Sequence, residues 1–505
     1  MQIAARILAI LFATPLLVLS AFAAASCESL ASLTLPNTTI TMAKLVAAGE
    51  FTPPNPTPPG ANFKNVPMFC RVAATLAPSK DSDIMIEVWM PASAWNGKFQ
   101  AVGNGGWSGA IVYQSLARAL ARGYATASTD TGHSGGSGSF ALDHPEKLVD
   151  FGYRAVHEMT VQAKAIIAAY YGDSPKLSYW NGCSSGGKQG LKEAQRFPAD
   201  YDGIIAGAPA NYWTHLMTGE IWIAQAVHKD EASFIPASKF PIIHKAVLEA
   251  CDALDGVKDG VLDDPRKCHF DPKAIQCQGD DTSNCLTAPQ VETARKIYTP
   301  AKNPRTGQEI FPAMEPGSEL AWAGLAGTQP FSVPVDHFRY VVFKDPNYDW
   351  RNLNFDSDLA LADKIDSGTI NATDPNLKAF IGHGGKLLLY HGWNDQLIAP
   401  RNAVNYYQSV LDTMGGASRI ADSIRLFMVP GMNHCAGGDG PGVFDTVSVM
   451  EKWVEQGQAP DQIVASHVSS GAVDRTRPLC AYPKVAQYKG SGSTDEAANF
   501  VCKLP

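Results

Sequence analysis

Short runs in which apolar positions are continuous or alternate with polar ones punctuate the first part of the chain, with helix-compatible stretches between them. Ile84–Met90, Phe99–Val102 and Tyr124–Ser128 come first, then Lys176–Trp180 and Tyr201–Pro209. Runs of this length predict strands, and strands alternating with helices predict an α/β sheet. The rhythm breaks from about Asn211 to Gly384. That stretch carries Trp213, Trp222, Trp322 and Trp350, four cysteines and irregular Pro and Gly segments, and it is expected to be an inserted lid or substrate domain. Sheet-like runs resume at Lys386–Tyr390 and Ile424–Val429, so the core is expected from 26–210 and 385–505, around an insertion at 211–384. Phe51–Pro59, with Pro53, Pro54, Pro56, Pro58 and Pro59, is expected to be an extended surface segment, because proline is excluded from helix interiors.

Composition narrows the class. With 505 residues, 45% of them hydrophobic and 18% charged, the chain can build more than one core. A net charge of -8 without a dense Lys/Arg run argues against a nucleic-acid partner, which needs clustered positive charge to displace counterions. Arg6, an apolar run from Ile7 to Phe22 broken by Pro15, and Ala21-Phe22-Ala23-Ala24-Ala25 predict a signal peptide over 1–25 rather than a membrane span. Export to the periplasm or the outside is therefore expected. Ala24-Ala25-Ser26-Cys27 is also a poor lipobox. Against lipidation stands the even number of cysteines, ten, which suits a closed set of disulfides in an exported chain. Sequence proximity pairs Cys27 with Cys70, Cys251 with Cys268, Cys277 with Cys285 and Cys480 with Cys502, which leaves Cys183 with Cys435. Zinc is the rival reading, but no C-x-x-C pair supports it.

The candidate chemistry begins at Gly182-Cys183-Ser184-Ser185-Gly186, a G-x-S-x-G pattern between an apolar run and a helix-compatible run. Ser184 is then a nucleophile on a sharp strand-to-helix turn, and the N–H of Ser185 at the helix start is available to an oxyanion. A glycine-rich turn without chemistry is the plainer reading of these five residues. Gly103-Asn104-Gly105-Gly106-Trp107-Ser108-Gly109 fails the dinucleotide pattern but follows an early strand, where α/β hydrolases place a second oxyanion donor; Gly106 is the residue expected there. Asp395 and His434 follow the two last strands, in the chain order Ser, Asp, His. Each taken alone also reads as a helix cap or a loop histidine. A bridge between Cys183 and Cys435 would force Ser184 and His434 to be neighbours, since disulfide Cα atoms lie about 4.4–6.8 Å apart.

The arrangement Cys183-Ser184, Asp395 and His434-Cys435 resembles the tannase and feruloyl esterase family, which also includes the terephthalate monoester hydrolase. The resemblance spans nearly the whole chain after the leader. It implies an α/β-hydrolase core with a large inserted lid, a disulfide between the cysteines beside the serine and the histidine, and serine ester hydrolysis. The implied substrates are small-molecule or polysaccharide-linked esters of phenolic acids. Feruloyl esterase-like activity is expected first, with galloyl ester or terephthalate monoester hydrolysis as alternatives. A non-catalytic phenolic- or glycan-binding protein on a retired hydrolase fold is the reading from a different class, and the complete triad speaks against it.

A second landmark is Cys251-Asp252-Ala253-Leu254-Asp255-Gly256-Val257-Lys258-Asp259-Gly260-Val261-Leu262-Asp263-Asp264-Pro265. Carboxylates at this density suit a hard cation, although a solvated acidic turn is the plainer alternative and the EF-hand pattern is absent. Similarity to the family's calcium loop implies a structural Ca2+ held by the side chains of Asp252, Asp255 and Asp259 and the carbonyls of Val257 and Val261, inside the insertion. His391 resembles the family's substrate-side histidine; a supporting role behind the site is the alternative.

Overall fold

Residues 26–54 and 62–505 are described by the computed structural model; the expected leader and Pro56, Pro58 and Pro59 lie outside them. Nine strands form one sheet: β1 (Thr38–Val46), β2 (Phe69–Leu76), β3 (Ile84–Pro91), β4 (Lys98–Val102), β5 (Ala125–Thr129), β6 (Leu177–Cys183), β7 (Gly203–Gly207), β8 (Lys386–Gly392) and β9 (Ile424–Val429). Their order in space is β1-β2-β3-β5-β4-β6-β7-β8-β9. Pairing is antiparallel from β1 through β3 to β5, and parallel from β5 to β9. This is an α/β-hydrolase sheet. β5 and β7 are buried along their whole length, which is why they read as unbroken apolar runs.

Alternation along the strands divides the core. Trp180, Ile204, Leu387 and Leu389 face one layer, which includes α1 (Ala155–Tyr171) and α2 (Ser185–Arg196). Tyr179, Ile205 and Leu388 face the other, against Met450 and Trp453. β1 and β2 are absent from the sequence reading. β1 is an edge strand with a single buried residue, Val46, and β2 carries Arg71 in its apolar series because its guanidinium meets the buried Glu87 of β3. Phe51 also departs from expectation. It is buried, its ring centroid 4.5 Å from that of Trp89, so the start of the Pro-rich segment is core rather than surface.

The stretch between β7 and β8 is mostly helical and well packed, not irregular. It includes α3 (Trp213–Val227) and α4 (Phe240–Cys251), and its apolar core gathers Trp213, Trp322 and Trp350. Its helices were hard to read because many are only three to five residues long, too short to show a 3.6-residue period. The same core takes in Trp107, Phe151 and Ile398 from the sheet-bearing part, so the insertion rests directly on the loops beyond the strands. After β9 the chain adds an antiparallel pair, β10 (Gln462–Ser469) with β11 (Ala472–Cys480). All ten cysteines are bonded, in the five pairs that proximity suggests. Among the described residues no helix is long and apolar enough to cross a membrane.

Candidate active site

Parallel register brings the carboxyl ends of β6 to β9 to one edge: Cys183 pairs with Gly207, Gly207 with Tyr390, and Gly392 with Val429. Ser184 follows β6, Asp395 follows β8 and His434 follows β9. At Ser184 the backbone takes φ 65° and ψ -124°, a conformation costing about 1–3 kcal/mol that persists only where neighbours enforce it. They do so on both sides. The N–H of Ser184 donates to Gly207 O at 3.0 Å, and its carbonyl accepts from Lys188 and Ala210 at 3.0 and 3.2 Å. Glycine is required where the backbone folds back: a Cβ on Gly182 would stand 2.5 Å from Gly186 O, and one on Gly103 would stand 2.5 Å from Gly186 Cα. The glycine-rich loop and the Ser184 turn are thus in direct backbone contact.

That contact bears on the expected oxyanion donors. Ser185 Oγ donates to Gly106 O at 2.9 Å, tying the loop to the first residue of α2. Asn104 anchors the loop further, its side chain donating to Ala110 O and Thr129 O. Gly105, Gly106, Ser184, Ser185 and His434 all line one cavity of about 380 Å³. Apart from Glu220 of α3, the other walls are apolar, with Trp213, Leu216 and Met217 from α3, Phe331 and Val333 from the insertion, and Leu397 and Ile398 after β8. The volume is in the usual range for small-molecule sites, about 300–1,000 Å³.

Asp395 is fully buried and uses both oxygens. Oδ1 accepts the N–H groups of Leu397 and Ile398, each at 2.9 Å; Oδ2 accepts from His434 Nδ1 at 2.8 Å and His391 Nε2 at 3.0 Å. Burial alone would push its carboxyl up, but His434 foremost, with His391, outweighs this and holds it well below the ordinary range. His434 responds in turn. Burial pushes its imidazole down, and the charge of Asp395 more than restores it, leaving it above its ordinary value. Among the described residues, His434 is otherwise held by its backbone N–H on Gln396 Oε1, so Nε2 is not engaged. The disulfide Cys183–Cys435, Cα atoms 6.0 Å apart, ties the serine turn to the histidine loop, and Cys435 itself sits at φ 64°.

His391 is not on the substrate side. It has no exposed surface and lies behind Asp395, Nε2 shared between Asp395 Oδ2 and Ile398 O, both at 3.0 Å. Two acceptors on one nitrogen place the proton there. It is not among the residues that line the cavity.

In the acidic loop, Asp252 accepts the N–H groups of Asp259 and Gly260, and Asp255 those of Val257 and Asp263. Gly256 and Gly260, at φ 90° and 80°, let the chain curl around these carboxylates. Asp263, in the same acidic stretch but outside the expected ligand set, adds a fourth. Burial first, and then the charge of Asp255, push its carboxyl up to about 8 despite Arg477. An excess of crowded carboxylates on a loop whose carbonyls at Val257 and Val261 are also at hand is a hard-oxygen donor set, and it fits Ca2+. The loop does not lie wholly within the insertion's own contacts. Asp259 pairs with Arg477 of β11, Val261 Cγ1 is 3.2 Å from where a Cβ on Gly431 would stand, and Arg266 stacks 5.2 Å from the Trp393 ring. Gly431 and Trp393 belong to the loops carrying His434 and Asp395, so the acidic loop backs both.

A family model described as tannase and feruloyl esterase matches residues 70–503. An uncharacterized esterase of Xanthomonas campestris pv. campestris is 40% identical, over 96% of this chain and 92% of its own. A probable feruloyl esterase B-2 of Aspergillus oryzae is 37% identical, over 92% of each. The crystal structure of feruloyl esterase B from Aspergillus oryzae superposes with a TM-score of 0.89 at 32% identity, covering 94% of this chain and 99% of that one.

Proposed function

We propose that this chain, which belongs to the tannase and feruloyl esterase family and is a carboxylic ester hydrolase, acts on esters of phenolic acids through a covalent acyl-enzyme. The observation that carries the reading is the disulfide that holds Ser184 and His434 side by side at the wall of an apolar cavity, with Asp395 on the far nitrogen of the histidine.

Ser184 Oγ attacks the ester carbonyl carbon as His434 Nε2 takes its proton, and Asp395 stabilises the imidazolium without accepting a proton itself. The N–H groups of Gly106 and Ser185 receive the oxyanion. Collapse breaks the bond to the alcohol oxygen, which leaves with the proton from His434, and the acyl group stays on Ser184. Water then repeats the sequence: His434 takes its proton, the oxygen attacks, and the acid departs as Ser184 Oγ regains hydrogen. His391 keeps Asp395 oriented.

Ca2+ held by Asp252, Asp255, Asp259 and the carbonyls of Val257 and Val261 would neutralise the acidic loop and supply stability, not chemistry. Export through the leader fits five disulfides, which form and persist in oxidising compartments. A panel of methyl ferulate, methyl gallate and a terephthalate monoester tests the assignment. Methyl ferulate should turn over fastest; preference for methyl gallate would move the protein to the tannases, and equal rates on all three would sink any narrow assignment. Ser184→Ala should abolish turnover of each.

A further inference from the structure

The cavity wall formed by α3 is apolar except at one position. Trp213, Leu216, Met217 and Glu220 recur at the spacing of one helical face and all line the cavity. Glu220 is 4% exposed, and its Oε2 has no hydrogen-bond partner among the described residues. A buried polar group left unpaired is costly, and among the described lining side chains other than Ser184, Ser185 and His434 it is the one with an uncommitted polar atom, since the Trp213 indole N–H is already given to His337 Nδ1. Its helix is not a solvated one that would tolerate a stray acid. Trp213 and Leu216 are almost completely buried, and Glu220 stands at the same depth.

We infer that Glu220 determines specificity, meeting an oxygen substituent on the aromatic ring of the bound ester. The inference rests on the esterase reading above and deepens it. The apolar walls suit the faces and edges of a ring, and a single carboxyl among them suits one polar position on that ring. Burial, and after it the charge of Asp395, raise the carboxyl well above its ordinary range. A carboxyl shifted in that direction favours the neutral form, which would donate to a ring hydroxyl or methoxy oxygen. A site built to bond a substrate oxygen discriminates strongly against the analogue lacking it, since the enzyme's group is then buried without a partner.

The test compares methyl ferulate with methyl cinnamate, which lacks ring oxygens, on the wild type, Glu220→Leu and Glu220→Gln. Glu220→Leu should lower kcat/KM for methyl ferulate by about tenfold or more while leaving methyl cinnamate within about twofold. Glu220→Gln, still a donor, should keep most of the preference. Because Glu220 Oε2 has no partner among the described residues, neither variant should unfold at a lower temperature. An equal change on both esters in folded Glu220→Leu, or an unchanged ratio, would overturn the inference. So would a loss confined to esters that differ in their alcohol part. Titrating the same two esters into Ser184→Ala and Ser184→Ala/Glu220→Leu separates this from the mechanism: the ratio of dissociation constants should shift in the same sense. If the wild type hydrolysed neither ester, the esterase reading would fail, and this binding ratio would still decide the role of Glu220.

Discussion

Two tight loops in this protein each carry a disulfide, and the two bonds do different work. Cys183–Cys435 spans 252 residues and joins the turns that hold Ser184 and His434, whereas Cys251–Cys268 spans 17 and closes only the acidic loop on itself. In the chain-entropy view the first constrains the unfolded chain by about 5 kcal/mol and the second by about 3 kcal/mol. The larger difference is in what remains unsatisfied. Around Ser184 every backbone demand is met by the sheet, by α2 and by the glycine-rich loop, so the strained serine is held without outside help. Around Asp263 the demands are electrostatic, and Arg475 and Arg477 do not balance Asp252, Asp255, Asp259 and Asp263. Geometry completes one loop. The other keeps an excess of carboxylates, which the proposed Ca2+ would neutralise.

The comparison is broken or sharpened by a graded series of changes. Ser184→Ala should have the largest effect, a loss of at least about a thousandfold in kcat with unchanged unfolding temperature, because it removes the nucleophile and leaves all contacts of the turn. Replacing Cys183 and Cys435 together by Ala leaves all three reacting groups in place but frees their loops. Misplacement by about 1 Å can cost on the order of a hundredfold, so kcat should fall by about that much while KM changes little. A folded double variant with near wild-type turnover would show the bond to be a stability device only.

His391→Ala should cost about tenfold in kcat and leave KM unchanged, since His391 touches Asp395 and not the cavity. A change mainly in KM would return His391 to the substrate side. The pH profile follows from His434, which must be neutral to accept the serine proton. Its raised pKa means kcat/KM falls as pH drops through a value above the ordinary imidazole figure of about 6.5, and the plateau lies on the alkaline side. Chelation of calcium should have the smallest effect on turnover. The unfolding temperature should drop, because a ligand bound only to the folded state stabilises it by mass action, while samples kept below the transition retain kcat. Immediate loss of kcat with an intact circular dichroism spectrum would mean that the contacts at Gly431 and Trp393 carry the loop's state into the site.

Much of this was legible along the chain, for reasons that differ by residue. Strands β3 to β9 announce themselves because they are buried and largely apolar, and the order Ser184, Asp395, His434 is visible because each residue follows such a strand. Local rules were sufficient there: a five-residue turn demands glycines, and cysteines adjacent to two reacting residues betray their proximity. What the sequence by itself determined is therefore the α/β class, the two-part core, the serine turn and the cysteine partners. The tertiary structure decided what depends on directions between segments distant in the chain. Whether His391 faces a cavity or the back of Asp395 is a matter of which side of β8 its ring leaves, and a histidine four residues before an aspartate is compatible with both. Glu220 is one acid among apolar residues of a helix, and only the packing of that helix over the ends of the strands turns it toward Ser184's cavity rather than toward solvent. Asp259 and the two arginines of β11 meet because more than two hundred residues of chain return to the acidic loop, a distance over which no pattern in the sequence records a contact.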